Sequence, residues 1–220
     1  ELMKNHGGYE HNLQSRRIID ELEDKYPHFR GLNLSYEVRE GLIKHSTPWD
    51  KPDHTDGFIS LEAQVCNLAD EIAYNNHDID DGLSSGILVE SELNSHVSLW
   101  KEAKTAIKNQ YQNLAPHHLK HLINSYLISA LIEDVLIASE HEFSTLNICS
   151  LEDVQKRGKA AIRFSNEMSE KNKELRKYLF TTFYSHVTVY RMNKKGQLII
   201  KQLFDAYVSD PKLLPLRYQD

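Results

Sequence analysis

The 220-residue sequence is sparing with several residue types, and each scarcity excludes something. Two cysteines, Cys66 and Cys149, are too few and too far apart for a disulfide framework or a structural zinc knuckle, so the chain reads as reduced and cytoplasmic. Nine glycines and six prolines fall below average usage, which argues against a turn-dense sandwich or barrel and in favour of long helices. No stretch approaches the roughly 18 consecutive apolar residues of a membrane helix, and the charged start ELMKNHGGYEHN is not a signal peptide, so no membrane partner is expected. An initiator Met is also missing, which places the expected N-terminus upstream. Neither sign of charge dominates: 26 basic against 32 acidic side chains give a net charge of −6. That balance argues against a chain that coats nucleic acid over its whole surface, while leaving room for a local basic patch.

What is present is helical periodicity. Apolar residues recur at helical spacing in nearly every segment, which predicts an all-α chain of seven to nine helices. The first is expected from Tyr9 to Lys25, ahead of Tyr26-Pro27, and the second from Ser35 to Lys44. STPWDKPDHTDG at 46–57 is then the longest expected loop. Ser60 is a plausible N-cap for a helix to Asp78, whose Leu61, Val65, Leu68 and Ile72 make one apolar stripe. Further helices are expected from Leu93 to Leu114 and from Pro116 to Ser139, with Leu119, Leu122, Tyr126, Leu127, Ala130 and Ile137 as the core face of the second. Ser150 caps a short helix to Gly158, and two more run from Asn166 to Tyr184 and from Gly196 to Val208. Between those last two, the β-branched, alternating HVTVYRM reads as an extended connector, since a lone strand has nothing to pair with.

The most informative chemistry lies in LADEIAYNNHDIDD. At 100° per residue, Asp70, Tyr74, His77 and Asp78 share a stripe about 100° wide, opposite the apolar one. A solvated helix face explains such a stripe, but a tyrosine is unusual in bulk solvent and a mid-helix Asp gains nothing from capping. His11 shares its face with Ser15, Ile18 and Leu22, so it is either a buried structural histidine or a group on the rim of a site. His117, His118 and His121 spell HHxxH, without the Glu that a metalloprotease helix places between its ligands. No glycine-rich phosphate loop and no GxSxG elbow is found.

GGYEHNLQSRRI at 7–18, GLNLSYEVREGLIKH at 31–45 and SLEAQVCNLADEIAYNNHDIDDGL at 60–83 together resemble the deoxyguanosinetriphosphate triphosphohydrolase-like proteins, a branch of the HD-domain metal-dependent phosphohydrolases. The tail, RKYLFTTFYSHVTVYRM followed by LFDAYVSDPKLLP, resembles the C-terminal helical region of that family. The resemblance implies an HD-domain-like multi-helix bundle, with residues 1–145 as the C-terminal portion of the catalytic domain and 146–220 as a helical region packed on it. It further implies metal-dependent hydrolysis of deoxynucleoside triphosphates to deoxynucleoside and inorganic triphosphate. Asp70 matches the family's last metal ligand, His11 a catalytic histidine beside the triphosphate, and Tyr74, His77 and Asp78 the substrate-binding positions. The metal is divalent, with Mg, Mn and Fe all suited to mixed His and carboxylate ligands.

The family's other ligands, a His and an adjacent His-Asp pair, lie before GGYEHN and have no counterpart in this sequence; His77-Asp78 is not that pair. The bundle is therefore expected to be incomplete at its N-terminus and the chain to be part of a longer enzyme, with a shortened inactive relative as the other explanation. A homo-oligomer is implied. The runner-up function is a non-catalytic nucleotide-sensing or oligomerisation module. A third reading, weak binding to single-stranded nucleic acid, rests on KNKELRK at 171–177 and RMNKK at 191–195, though such runs are more often solvated helix faces.

Overall fold

A computed structural model describes residues 1–43, 59–157 and 159–219. Among the described residues the chain is all-α, with nine α-helices and no strand beyond one isolated bridge between Tyr26 and Phe29. The proposed loop at 46–57 lies outside the described residues.

Helix α1 (His11–Arg17) is capped by Glu10, whose carboxylate accepts from the amides of Asn12 and Leu13, and it runs on through a π turn at Ile18–Leu22. Helix α2 (Tyr36–Ile43) comes next. Helix α3 (Leu61–Ser84) begins as the sequence predicts, with the Ser60 hydroxyl accepting from the Ala63 amide at 3.2 Å. It continues six residues past Asp78, because Ile79 is buried and Gly82 lies directly against Leu88. A Cβ at Gly82 would meet the Leu88 side chain at 2.4 Å, so a larger residue would push the chain apart there.

The helix expected from Leu93 to Leu114 is two helices, α4 (Glu90–His96) and α5 (Ser98–Gln110), broken at an extended Val97. The cause is remote in sequence. Glu174 accepts from both the amide and the hydroxyl of Ser98 and so supplies a cap for α5 from another helix. Helix α6 (Pro116–Leu146) extends past its predicted end and stops where Asn147 turns left-handed at φ 49°. Helix α7 (Leu151–Arg157) is fixed by reciprocal bonds between Ser150 and Asp153. In helix α8 (Asn166–Leu179) the cap Ser165 is itself held by the Asp134 carboxylate of α6 at 2.7 and 2.8 Å. A π turn, Phe180–Tyr184, prolongs α8.

HVTVYRM is not a connector. From Val187 it forms the first turns of helix α9 (Val187–Ser209), nine residues before the expected start at Gly196. The His186 ring accepts from the Thr188 amide at 3.3 Å and starts the helix. With no neighbouring strand among the described residues, the carbonyls of Val187, Thr188 and Val189 are satisfied by helical bonds, which outweigh a β-branched preference of a few tenths of a kcal/mol per residue.

The core joins α3, α4, α5, α6 and α8: Ile79, Leu93, Trp100, Ile123, Leu127 and Leu175 are all buried within it. The inward faces match those expected in part: Leu127 of α6 and Ile72 of α3 are buried, and Leu119, Leu122 and Leu68 pack against the core. On α6 the buried line is Ile123, Leu127 and Leu131, while Tyr126 and Ile137 stand in solvent. On α3, Val65 is half-exposed and the core face is Gln64, Ile72, Asn75, Asn76 and Ile79. Polar side chains with fixed partners, absent from any count of apolar residues, turn the helix.

One helix among those described, α6, is long and apolar enough by length and composition to cross a membrane. Its neighbours account for that composition on one face: α6 packs against α3 and α5, and its acidic pair Glu133-Asp134 includes the anchor of Ser165. Its opposite face is largely uncovered, with Leu136 at 65% exposure.

Candidate functional site

Helix α3 is held by a buried polar network. The Gln64 side chain accepts from the amides of Ala161 at 2.7 Å and Ile162 at 3.1 Å, and donates to the Ile59 carbonyl at 2.9 Å. Further along the helix, Asn75 donates to Asn172 of α8, and Asn172 donates in turn to Glu71, which also pairs with Arg176 at 3.3 Å. From the other side, Asn124 of α6 donates to the Asn76 carbonyl at 3.1 Å and Lys120 pairs with Asp80 at 2.8 Å. The partners of Gln64 and Asn75 on other segments fix the rotation of α3 about its axis.

That rotation presents Asp70, Tyr74, His77 and Asp78 away from the core, Asp70, Tyr74 and His77 exposed and Asp78 half-buried. The stripe expected from sequence is therefore present on the helix. The structure adds a residue that sequence spacing does not reach. Tyr184, from the π turn after α8, stacks on Tyr74 with ring centres 6.2 Å apart and planes 24° apart, and its hydroxyl donates to Asp78 Oδ2. Burial pushes the Asp78 carboxyl above its usual range; the Tyr184 hydroxyl opposes this, Asp81 adds to it and His77 counters it. Burial also pushes the Tyr184 phenol far up, and its bonds with Asp78 and Tyr74 push it further. At neutral pH Tyr184 is therefore a donor held against a partly desolvated carboxylate.

His11 lies at the first position of α1, half-exposed, with Nδ1 3.0 Å from Glu10. It is not buried in a core-facing stripe, since α1 has no buried residue. Helix α1 packs on α2, and α2 on α3, so the described contacts connect His11 to the α3 stripe through α2. His117 and His118 of the HHxxH run are exposed neighbours at the start of α6, with ring centres 3.9 Å apart. Cys66 and Cys149 are exposed free thiols. In the basic run at 171–177, Lys171 pairs with Glu102 and Glu167, Lys173 with Glu170 and Arg176 with Glu71, so its charge is largely met within the fold.

A divalent metal does not fit the described residues by themselves. Among the described residues no group of three or more His, Cys, Asp or Glu side chains converges, and Asp70 offers a single carboxylate where such ions take several. Beside Asp70 runs an apolar groove of about 740 Å³ between α3 and α6. Val65, Ala69, Ala73 and His77 form one wall, and Ile132 and Leu136 the other. His77 thus belongs both to the polar stripe and to the groove.

Residues 162–220 match the phosphohydrolase-associated domain. Over nearly all its length the chain is similar to proteins named deoxyguanosinetriphosphate triphosphohydrolase-like protein. It is 46% identical over 224 residues to one from Geobacter sulfurreducens, covering 99% of this chain and 58% of the relative. Against one from Bordetella pertussis identity is 39% over 229 residues, covering 100% and 59%, and against one from Brucella canis 37% over 236, covering 98% and 58%. The matches bear out the resemblance read from the three motifs, and the chain spans less than two thirds of the length of these curated relatives.

Proposed function

Starting from its relationship to the deoxyguanosinetriphosphate triphosphohydrolase-like proteins, we propose that this chain is the substrate-binding part of a metal-dependent hydrolase that cleaves deoxynucleoside triphosphates to deoxynucleoside and inorganic triphosphate. The observation that carries the reading is the α3 stripe: a phenol and a carboxylate one turn apart, both set by Tyr184, with a free-standing Asp70 one turn before them. Residues 1–145 act as the C-terminal portion of the catalytic domain and 146–220 as the helical region packed on it. The enzyme is cytoplasmic and a homo-oligomer.

In this reading Asp78 accepts from the sugar 3′-hydroxyl and Tyr74 donates to a phosphate oxygen. A sugar without that hydroxyl leaves a half-buried acceptor unpaired, at a cost of about 1 to 3 kcal/mol. His11 donates to a phosphate oxygen or protonates the leaving 5′-oxygen. Asp70 is one ligand to a divalent ion, Mg, Mn or Fe. The remaining ligands come from the part of the relatives' length outside this chain, and that polypeptide covers the α3–α6 groove beside Asp70. Placing apolar side chains along the groove turns its exposed Val65, Ile132 and Leu136 into core.

Release of inorganic triphosphate from the four deoxynucleoside triphosphates, with Mn²⁺ or Mg²⁺, tests the reading on this chain and on the full-length protein. Turnover in the full-length protein alone is expected, with Asp70→Ala lowering it more than about a hundredfold and reducing bound metal. Unchanged turnover and metal content in Asp70→Ala would remove Asp70 from the ligand set. A second reading, a nucleotide-sensing or oligomerisation module without catalysis, is favoured by one observation, the lack of a converging ligand group among the described residues. A folded, metal-loaded full-length protein that releases no triphosphate decides for it.

A further inference from the structure

We propose that Tyr184 is a positioning residue for Asp78, fixing one carboxylate oxygen with its hydroxyl so that the other is held ready for the 3′-hydroxyl of a bound deoxyribose. The inference rests on the functional reading above and assigns a share of sugar recognition to the phosphohydrolase-associated region, 106 residues away in sequence.

Three observations converge on it. The Tyr184 hydroxyl donates to Oδ2 of Asp78, the Asp of the stripe that burial most affects. A rigid donor on one oxygen leaves the carboxylate a single orientation, and a half-buried carboxylate without it would rotate or take up a proton. The Tyr184 ring stacks on Tyr74, so one side chain touches both the phenol and the carboxylate of the stripe. Finally, Tyr184 ends the π turn Phe180–Tyr184. A π turn adds one residue to the helical repeat and rotates the downstream residues by about 100°, and such turns recur where a side chain is aimed at a site. Phenylalanine would keep the ring packing against Tyr74 and the core and lose the hydroxyl with its bonds to Asp78 and Tyr74. The charged or titratable groups around Asp78 are Asp81 and His77 on α3 and Tyr184 itself, with Tyr74 behind Tyr184.

The test compares Tyr184→Phe with wild type in the full-length protein, using a deoxynucleoside triphosphate and its 3′-deoxy analogue, which offers Asp78 no hydroxyl. The expected result is a fall in kcat/KM of about tenfold for the deoxynucleotide and less than about twofold for the analogue. The acid limb of the kcat/KM profile for the deoxynucleotide is expected to move to higher pH, because removing the donor takes away the main influence that lowers the Asp78 carboxyl. Equal falls for both nucleotides, or an unmoved acid limb, overturn the proposal and leave Tyr184 as packing. Carbon-13 NMR titration of the Asp78 carboxyl in the two proteins needs no substrate. An Asp78 titration unmoved in Tyr184→Phe overturns the proposal even if the enzyme turns over. A wild-type protein that hydrolyses neither nucleotide overturns the functional reading separately, and the NMR titration still decides whether Tyr184 governs Asp78.

Discussion

Helices α3 and α9 have nearly equal lengths, 24 and 23 residues, and similar amphipathic patterns, yet α3 is locked on several sides while α9 has no buried residue at all. The apolar residues of α9 are mostly exposed, Leu198 and Ile200 each at 61%, and its main contacts among the described residues are with the π turn before it and the 3₁₀ turn after it, with the edge of His6 on Phe204. The outer face of α6 shares this condition. A hydrophobic stripe, then, states only that a helix needs a partner, and buried polar side chains with fixed partners decide which face turns inward. Gln64, Asn75 and Asn172 do this for α3, and α9 has no equivalent.

The contrast breaks most directly through the core. Trp100→Ala removes a fully buried ring and is expected to cost about 3 to 5 kcal/mol, read from urea unfolding of this chain. Gln64→Ala is the next largest. It leaves the amides of Ala161 and Ile162 without their acceptor, an expected loss of about 2 kcal/mol with increased hydrogen exchange at both positions. Exchange rates unchanged at 161 and 162 would show that α3 is oriented by something other than its amides. On α9, Leu198→Ala and Ile200→Ala are expected to change the stability of this chain by less than about 0.5 kcal/mol each. The same two substitutions carry the contrast into the full-length protein: a loss there of core size, or a change in oligomeric state by sedimentation, means that the α9 face is covered in the assembly.

Much of this was legible in the sequence because it is local. The Ser60 and Ser150 caps, the all-α class and the shared face of Asp70, Tyr74, His77 and Asp78 depend on spacings of eight residues or fewer. The features that were not legible depend on partners far along the chain. The break at Val97 is set by Glu174, the inward face of α3 by residues 161 and 172, and Tyr184 reaches Asp78 only once α8 has docked. Val187 to Met192 misled for a different reason, since β-branched residues favour a strand only where a second strand exists to receive it. For His11 the motif sets the residue beside the site, and among the described residues α1 packs on α2 and α2 on α3.

The bonds from Gln64 to residues 161 and 162, and from Asn75 to residue 172, also order events during synthesis. The Gln64–Ala161 and Asn75–Asn172 bonds each span 97 residues, so α3 leaves the ribosome long before the atoms that orient it exist. At about 5 to 20 residues per second that interval is several seconds, during which α3 and α6 can associate through apolar contacts in more than one rotation. The amides then act as a late selection step that admits one register and exposes the others as mispaired. A chain stopped before residue 161 lacks the amides that Gln64 accepts from, so closing this 97-residue span, rather than forming α3 itself, is the long-range step that its register requires.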